Sequence, residues 1–195
     1  MPRFLRFVAP GGTFFFTLVT YLRRPIFAMP IARRLLRGSI REVQRRRPFT
    51  IEGFVLLPDH LHCVMALPPG DADFSTRWRK IKEGFTRSYL AQGSIQPGPP
   101  VVGRVIDPTI PGAPVGRVID PTLQYHIDPP VSPGQARKGL RGIWQQRFWE
   151  HTIRDETDFG RHMDYIHFNP VKHGHVTFPH AWLWSTFTRW VREGG

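Results

Sequence analysis

The chain has 195 residues, 41% of them hydrophobic and 13% aromatic, which is enough for the core of one moderate domain and excludes a wholly disordered chain. Its 27 Lys and Arg against 15 Asp and Glu give a formal charge of +12, pointing to a polyanionic partner, either nucleic acid or an acidic membrane surface. Cys63 is the single cysteine, so an intrachain disulfide framework and a cysteine-built zinc site are both excluded.

The charge is concentrated early. Residues 1–92 hold 16 basic and 6 acidic side chains, a balance of +10, whereas 93–136 hold 2 and 3, and 137–195 hold 9 and 6. The apolar run from Thr13 to Leu22 is too short for a membrane span and is followed by Arg23 and Arg24. With no signal-like leader, a cytoplasmic, nucleoid-associated protein without membrane contact is expected.

In chain order, Gly11-Gly12 opens an aromatic and β-branched run, Thr13 to Thr20, that reads as a buried strand. Pro30 can start a helix, since its missing N–H is unpaired there anyway, and Ile31, Leu35, Leu36, Ile40 and Val43 follow at helical spacing. Arg33, Arg34, Arg37, Arg41, Arg45, Arg46 and Arg47 cover the rest of that helix, either as a solvated face or as phosphate contacts. Pro48 stops it. Phe49 to Leu57 reads as a second strand, Pro58-Asp59 as a turn, and His60 to Leu67 as a third strand paired with the second. Ser75 to Leu90 reads as a second helix in which Arg77, Arg79, Lys80, Lys82 and Arg87 alternate with Trp78, Ile81, Phe85 and Tyr89.

Residues 93–136 differ in kind, with 10 of the 20 prolines and 6 of the 18 glycines. Val102 to Thr109 recurs unchanged as Val115 to Thr122, a short duplication that reads as an insertion in a single domain spanning 1–195. Gly142 to Arg154 then suggests a fourth strand, and Thr157 can cap a helix from Asp158 to about Asn169, with Pro170 marking its end. The tail from His175, with Trp182, Trp184 and Trp190, is expected to pack on the core. Strand, helix, strand, strand, helix, strand is the order of an α+β split β-α-β sandwich, with an antiparallel sheet and helices on one face.

Two segments can carry chemistry. On a strand, His60 and His62 point to one side and Leu61 and Cys63 to the other, so the two imidazoles can share a divalent ion. On a helix, Tyr165 and Asn169 lie one turn apart on one face, with His162 just before them. Each segment has a plainer reading as ordinary core. Arg33 to Arg47, with Arg77, Arg79, Lys80 and Lys82, are candidate backbone-phosphate contacts. Trp78, Trp144, Phe148 and Trp149 are candidates to stack on unpaired bases, with core packing as the alternative.

The segments GGTFFFTLVTYLRR, RRRPFTIEGFVLLPDHLHCVMALPPGDADFSTRWRKIKEGF and IWQQRFWEHTIRDETDFGRHMDYIHFNPVKHG resemble the single-tyrosine HUH transposases, most of all the REP-associated tyrosine transposases. The likeness runs over nearly all of residues 5–190 apart from the Pro-rich repeat, which is a departure from the family pattern. The resemblance implies that His60, His62 and Asn169 hold Mg²⁺ or Mn²⁺ and that Tyr165 is the catalytic nucleophile. It also implies single-stranded or hairpin (REP-like) DNA as substrate, a 5′-phosphotyrosine intermediate and strand transfer in DNA recombination, while a monomer and a homodimer both stay open. Two other readings share the same charge and fold: a non-catalytic, decayed DNA-binding relative, and a metal-dependent hydrolase with water as its nucleophile.

Overall fold

The computed structural model describes residues 11–92 and 142–194, so the repeat-containing stretch lies outside the described residues. Four strands form one antiparallel sheet: β1 (Thr13–Val19), β2 (Thr50–Leu56), β3 (His60–Ala66) and β4 (Trp149–Thr152). Their order is β2-β3-β1-β4, with β1 against both β3 and β4. This is the split β-α-β arrangement: α1 (Pro30–Arg46) links β1 to β2, and α2 (Phe74–Ala91) follows β3.

The period-2 pattern of β1 and β3 divides the core in two. Phe14, Phe16, Leu18, Leu61, Cys63 and Met65 face Ala32, Leu36, Ile40 and Val43 of α1 and Phe74, Trp78, Ile81 and Phe85 of α2. Phe15, Val55 and Val64 point the other way, where they meet Met163 and Ile166 of α3 (Glu156–Lys172). The expected helices on one face are thus α1 and α2, while α3 covers the opposite face. A short α4 (Phe187–Arg192) closes the tail. The tail packs as expected: the Trp182 indole N–H donates to the Leu56 carbonyl at 3.0 Å, and Ser185 bridges to Val55 at the free edge of β2.

Three boundaries differ from the sequence reading. The expected strand from Gly142 is ordered as β4 only from Trp149, with an isolated bridge between Trp144 and Thr20 upstream, because Ile143 and Trp144 turn inward to the core. α3 begins one residue after Asp155, whose carboxylate accepts the Asp158 N–H at 2.8 Å, so Asp155 is the cap and Thr157 is inside the helix. Pro170 lies within α3 rather than at its end, and Asn169 keeps its helical place. Pro170 sits in the last turn, where the chain stays closed by Asn169 and Pro170 carbonyls accepting from His173 and His175.

Gly53 permits the close seating of α3. A Cβ at that position would lie 2.5 Å from Met163 Sδ and 3.1 Å from Ile166 Cδ1. The strand is bulged beside it, between Ile51 and Gly53.

Candidate active site

β3 presents His60 and His62 on the α3 side of the sheet, and both are buried. Their rings meet at 5.0 Å between centroids. Each has one nitrogen already engaged. The Asp59 carboxylate takes His60 Nδ1 at 2.5 Å, and the Thr17 hydroxyl is hydrogen-bonded to His62 Nδ1 at 2.8 Å. Thr17 is placed for this by register, opposite His62 in the β1–β3 ladder. Partners of this kind fix ring orientation and leave Nε2 to face a ligand. Burial, with His60 and His173 nearby, pushes His62 down to about 3, so its ring is neutral at neutral pH.

Asp59 is held in turn. Burial works against its charge, but hydrogen bonds from His60 and Arg23 outweigh this and keep the carboxyl below its usual range. Arg23 reaches Asp59 at 3.0 Å from a turn in which Leu22 and Arg23 both have positive φ, 54° and 51°. Such backbone is sparsely populated in non-glycine residues and persists only where its surroundings hold it.

α3 supplies the opposite wall. Tyr165, Asn169 and His173 follow at four-residue steps and therefore share one helical face. The Tyr165 ring stands edge-on to His62 at 5.0 Å, and the His173 ring contacts His60 at 5.2 Å. Asn169 lies on the helix between these two contacts. Its side chain is buried, and neither its oxygen nor its nitrogen has a hydrogen-bond partner; the same is true of His62 Nε2. Orphaned polar atoms at this depth ordinarily cost about 1–3 kcal/mol each. Tyr165 itself is 41% exposed and borders an open cleft of about 480 Å³ lined also by Phe15, Thr17, Trp149, Arg161 and His162. The Lys172 ammonium sits 5.3 Å from the centre of the Tyr165 ring.

The chain belongs to the REP-associated tyrosine transposases. It is 36% identical over 194 residues to the REP-associated tyrosine transposase of Escherichia coli K12, covering 100% of this chain and 87% of that protein. A Haemophilus influenzae Rd protein named for the same family is 30% identical over 192 residues, covering 98% of this chain and 89% of its own length. A solved structure of a REP-associated tyrosine transposase bound to a REP hairpin superposes with a TM-score of 0.68 at 35% identity, covering 100% of this chain and 87% of that one. No family profile matches the chain.

In this family member the rings of His60, His62 and Tyr165 are in contact, and Asn169 lies on α3 between Tyr165 and His173. The candidate DNA-binding residues are not all available. Arg77 and Trp78 are corrections: both are 1% exposed and belong to the core. They fall on the α2 face that meets the sheet, and the Arg77 guanidinium donates twice to Asp71, at 2.6 and 3.1 Å, and also to the Asp73 and Pro48 carbonyls. Arg33 is half-buried, donates to the Phe27 and Ala28 carbonyls, and lies 3.9 Å over the Trp184 ring. Lys82 donates to the Gln145 carbonyl at 2.8 Å, and burial pushes it down to about 8. Arg34, Arg37, Arg41, Arg45, Arg46, Arg47, Arg79 and Lys80 are exposed. Arg34, Arg37 and Arg41 form one stripe on the outer side of α1, away from the sheet and hence on the far side of the molecule from Tyr165. Of the stacking candidates, Trp144 is buried, Phe148 packs against the core, and Trp149 is 55% exposed beside the cleft.

Sequence reasoning missed His173, Lys172 and Arg161. The first was readable as the third member of the Tyr165–Asn169 four-residue series, and Arg161 extends the same series backwards by one turn. Asp59 and Thr17 carried no signal beyond their register.

Proposed function

We propose that this transposase family member is a tyrosine-dependent DNA strand transferase that nicks single-stranded DNA beside a REP-like hairpin. The observation that carries this reading is the exposed Tyr165 hydroxyl-bearing ring packed against His62, whose Nε2 is buried and unpartnered, as is the Asn169 amide one turn along α3 from Tyr165. The donor set of His60, His62 and Asn169 fits a divalent ion, with two neutral nitrogens and an amide adding no negative charge against an anionic substrate. Mg²⁺ or Mn²⁺ held there would polarise the scissile phosphate and offset charge developing on its oxygens.

Tyr165 supplies the nucleophile. Its oxygen bonds to phosphorus, the bond from phosphorus to the 3′-oxygen breaks, and that oxygen departs as a 3′-hydroxyl with a proton. The 5′-phosphotyrosine link conserves the bond energy, so a 3′-hydroxyl of the same or another strand can reverse the step without a high-energy cofactor. Lys172 and Arg161 line the approach and attract the phosphate backbone. The open cleft admits an unpaired strand, and Trp149 offers it a stacking surface. Such a substrate implies work on the nucleoid in the cytoplasm.

The test is a denaturing gel after incubation with labelled hairpin-bearing oligonucleotide and Mn²⁺. Wild type is expected to trap a covalent protein–DNA band, and Tyr165→Phe to bind DNA with near-unchanged affinity but form none. An adduct with Tyr165→Phe, or cutting by wild type without any adduct, overturns the reading.

A further inference from the structure

A second group of potential ligands lies outside the His60–His62 centre. His151 leaves β4, and Asp158 and His162 stand one turn apart near the start of α3, so three donors from two elements converge. One ligand atom of each lies within 4.8 Å of the others. The His151 Nε2 to Asp158 Oδ2 distance is 2.8 Å, and His162 Nδ1 to Asp158 Oδ1 is 3.2 Å. The two rings are stacked, 4.7 Å apart and 17° from parallel. All three side chains are sheltered, with exposures of 22%, 15% and 17%.

We propose that His151, Asp158 and His162 form a second divalent-cation site, suited to zinc or a neighbouring transition metal. Two imidazoles and one carboxylate balance an ion's charge better than the first centre does, and imidazole ligation favours zinc or cobalt over magnesium. Asp158 is a ready anionic ligand, since the His151 hydrogen bond holds its carboxyl below the usual range against burial. Without an ion, His151 Nε2 faces the Asp158 carboxylate, and His162 Nδ1 is hydrogen-bonded to the Asp158 backbone carbonyl at 2.8 Å with the carboxylate beyond it at 3.2 Å. An ion would take the lone pairs of these two nitrogens, so each ring would hold its proton on the opposite nitrogen. Arg154 approaches the same carboxylate at 3.5 Å, but its side chain is 75% exposed and can swing into solvent.

The two centres are separate. The Phe15 ring contacts both His62, at 5.6 Å, and His162, at 4.7 Å, and so stands between them. The second site would therefore not act as half of a two-metal clamp, which needs ions about 3.5–4 Å apart. It would instead pin β4 to α3 three residues before Tyr165. This inference does not rest on the tyrosine chemistry.

The experiment uses the full chain carrying His60→Ala and His62→Ala, which removes the first centre. Titration with Co²⁺ is expected to give one ion per chain with visible d–d absorption, displaced by Zn²⁺ but not by millimolar Mg²⁺. Zn²⁺ should also raise the melting temperature of this variant, because it binds only the folded state. Adding His151→Gln, or separately His162→Gln, should abolish the absorption. No Co²⁺ binding by the double variant overturns the proposal whatever the further variants do, and so does binding that survives both glutamine substitutions.

Discussion

Tyr165 and Asn169 are one helical turn apart on α3, yet Tyr165 is 41% exposed and Asn169 only 1%. The nucleophile candidate is open to the cleft while the amide is sealed beneath it without a partner. Replacing Asn169 with Leu removes an unsatisfied polar group and keeps the side chain's heavy-atom count and branching. The metal-free variant is expected to unfold at an equal or higher denaturant midpoint, by up to about 1–3 kcal/mol, while Mn²⁺-dependent adduct formation is lost. A clear fall in the midpoint would mean that the amide is structural rather than a ligand.

The distribution of basic residues makes a second expectation. Changing Arg161 and Lys172, beside Tyr165, to Glu should flatten the salt dependence of DNA binding, whereas the same change at Arg34, Arg37 and Arg41, across the sheet on α1, should leave it nearly unaltered. Every single-strand phosphate that is no longer neutralised takes about 0.7 off the log–log slope. Arg77→Met should leave the slope alone and instead cost about 3 kcal/mol, at the low end for a broken buried pair because Asp71 keeps some access to water. Binding isotherms at several salt concentrations, with parallel urea melts, separate the two. A slope flattened by the α1 triple variant and not by the Arg161–Lys172 variant would put the DNA on the α1 face instead.

His167 yields a pH dependence of stability. It is buried between Phe187 and Trp190, with Nε2 3.1 Å from the Thr186 hydroxyl, and burial pushes it from 6.5 down to about 4. The unfolded chain therefore binds the proton first. The stabilising contribution is complete above about pH 6.5 and is lost as pH falls through about 4. Wild-type melts between pH 7 and 4 should show this loss, and His167→Gln should reduce proton uptake on unfolding by about one. An identical pH profile for the two proteins would refute the assignment.

Gly53→Ala tests the seating of α3. The added carbon meets Met163 Sδ and Ile166 Cδ1, both on buried side chains. Overpacking of this kind costs about 1–3 kcal/mol. Because the displaced helix bears Tyr165, adduct formation should slow by more than the lost stability explains. Unaltered stability and rate would mean that Met163 simply turns aside.

Much of this architecture was readable because it rests on periodicity. The alternation at His60-Leu61-His62-Cys63 placed two imidazoles on one side, and the four-residue step from Tyr165 to Asn169 placed both on one face. What periodicity could not show was which arginine turns inward. Arg77 is buried only because Asp71 and the Pro48 carbonyl, from separate turns, meet its guanidinium. Pro170 read locally as a stop, but it forgoes only its own bond to the Ile166 carbonyl, and the turn closes beyond it through the Asn169 and Pro170 carbonyls. The His151, Asp158 and His162 grouping has no linear signature, since it forms only when β4 pairs with β1 and α3 folds back.

The sheet divides the described core unequally, with 22 buried residues on the α1–α2 side and six on the α3 side. Free energies of local opening follow such apolar burial, so amide protons of α3 should exchange with solvent through smaller excursions than those of α1 and α2. The element bearing Tyr165 is thus the one able to loosen while the rest of the described core stays intact. A strand end joined to Tyr165 would travel with that helix, giving a severed chain terminus room to find a new partner without the protein letting go of it.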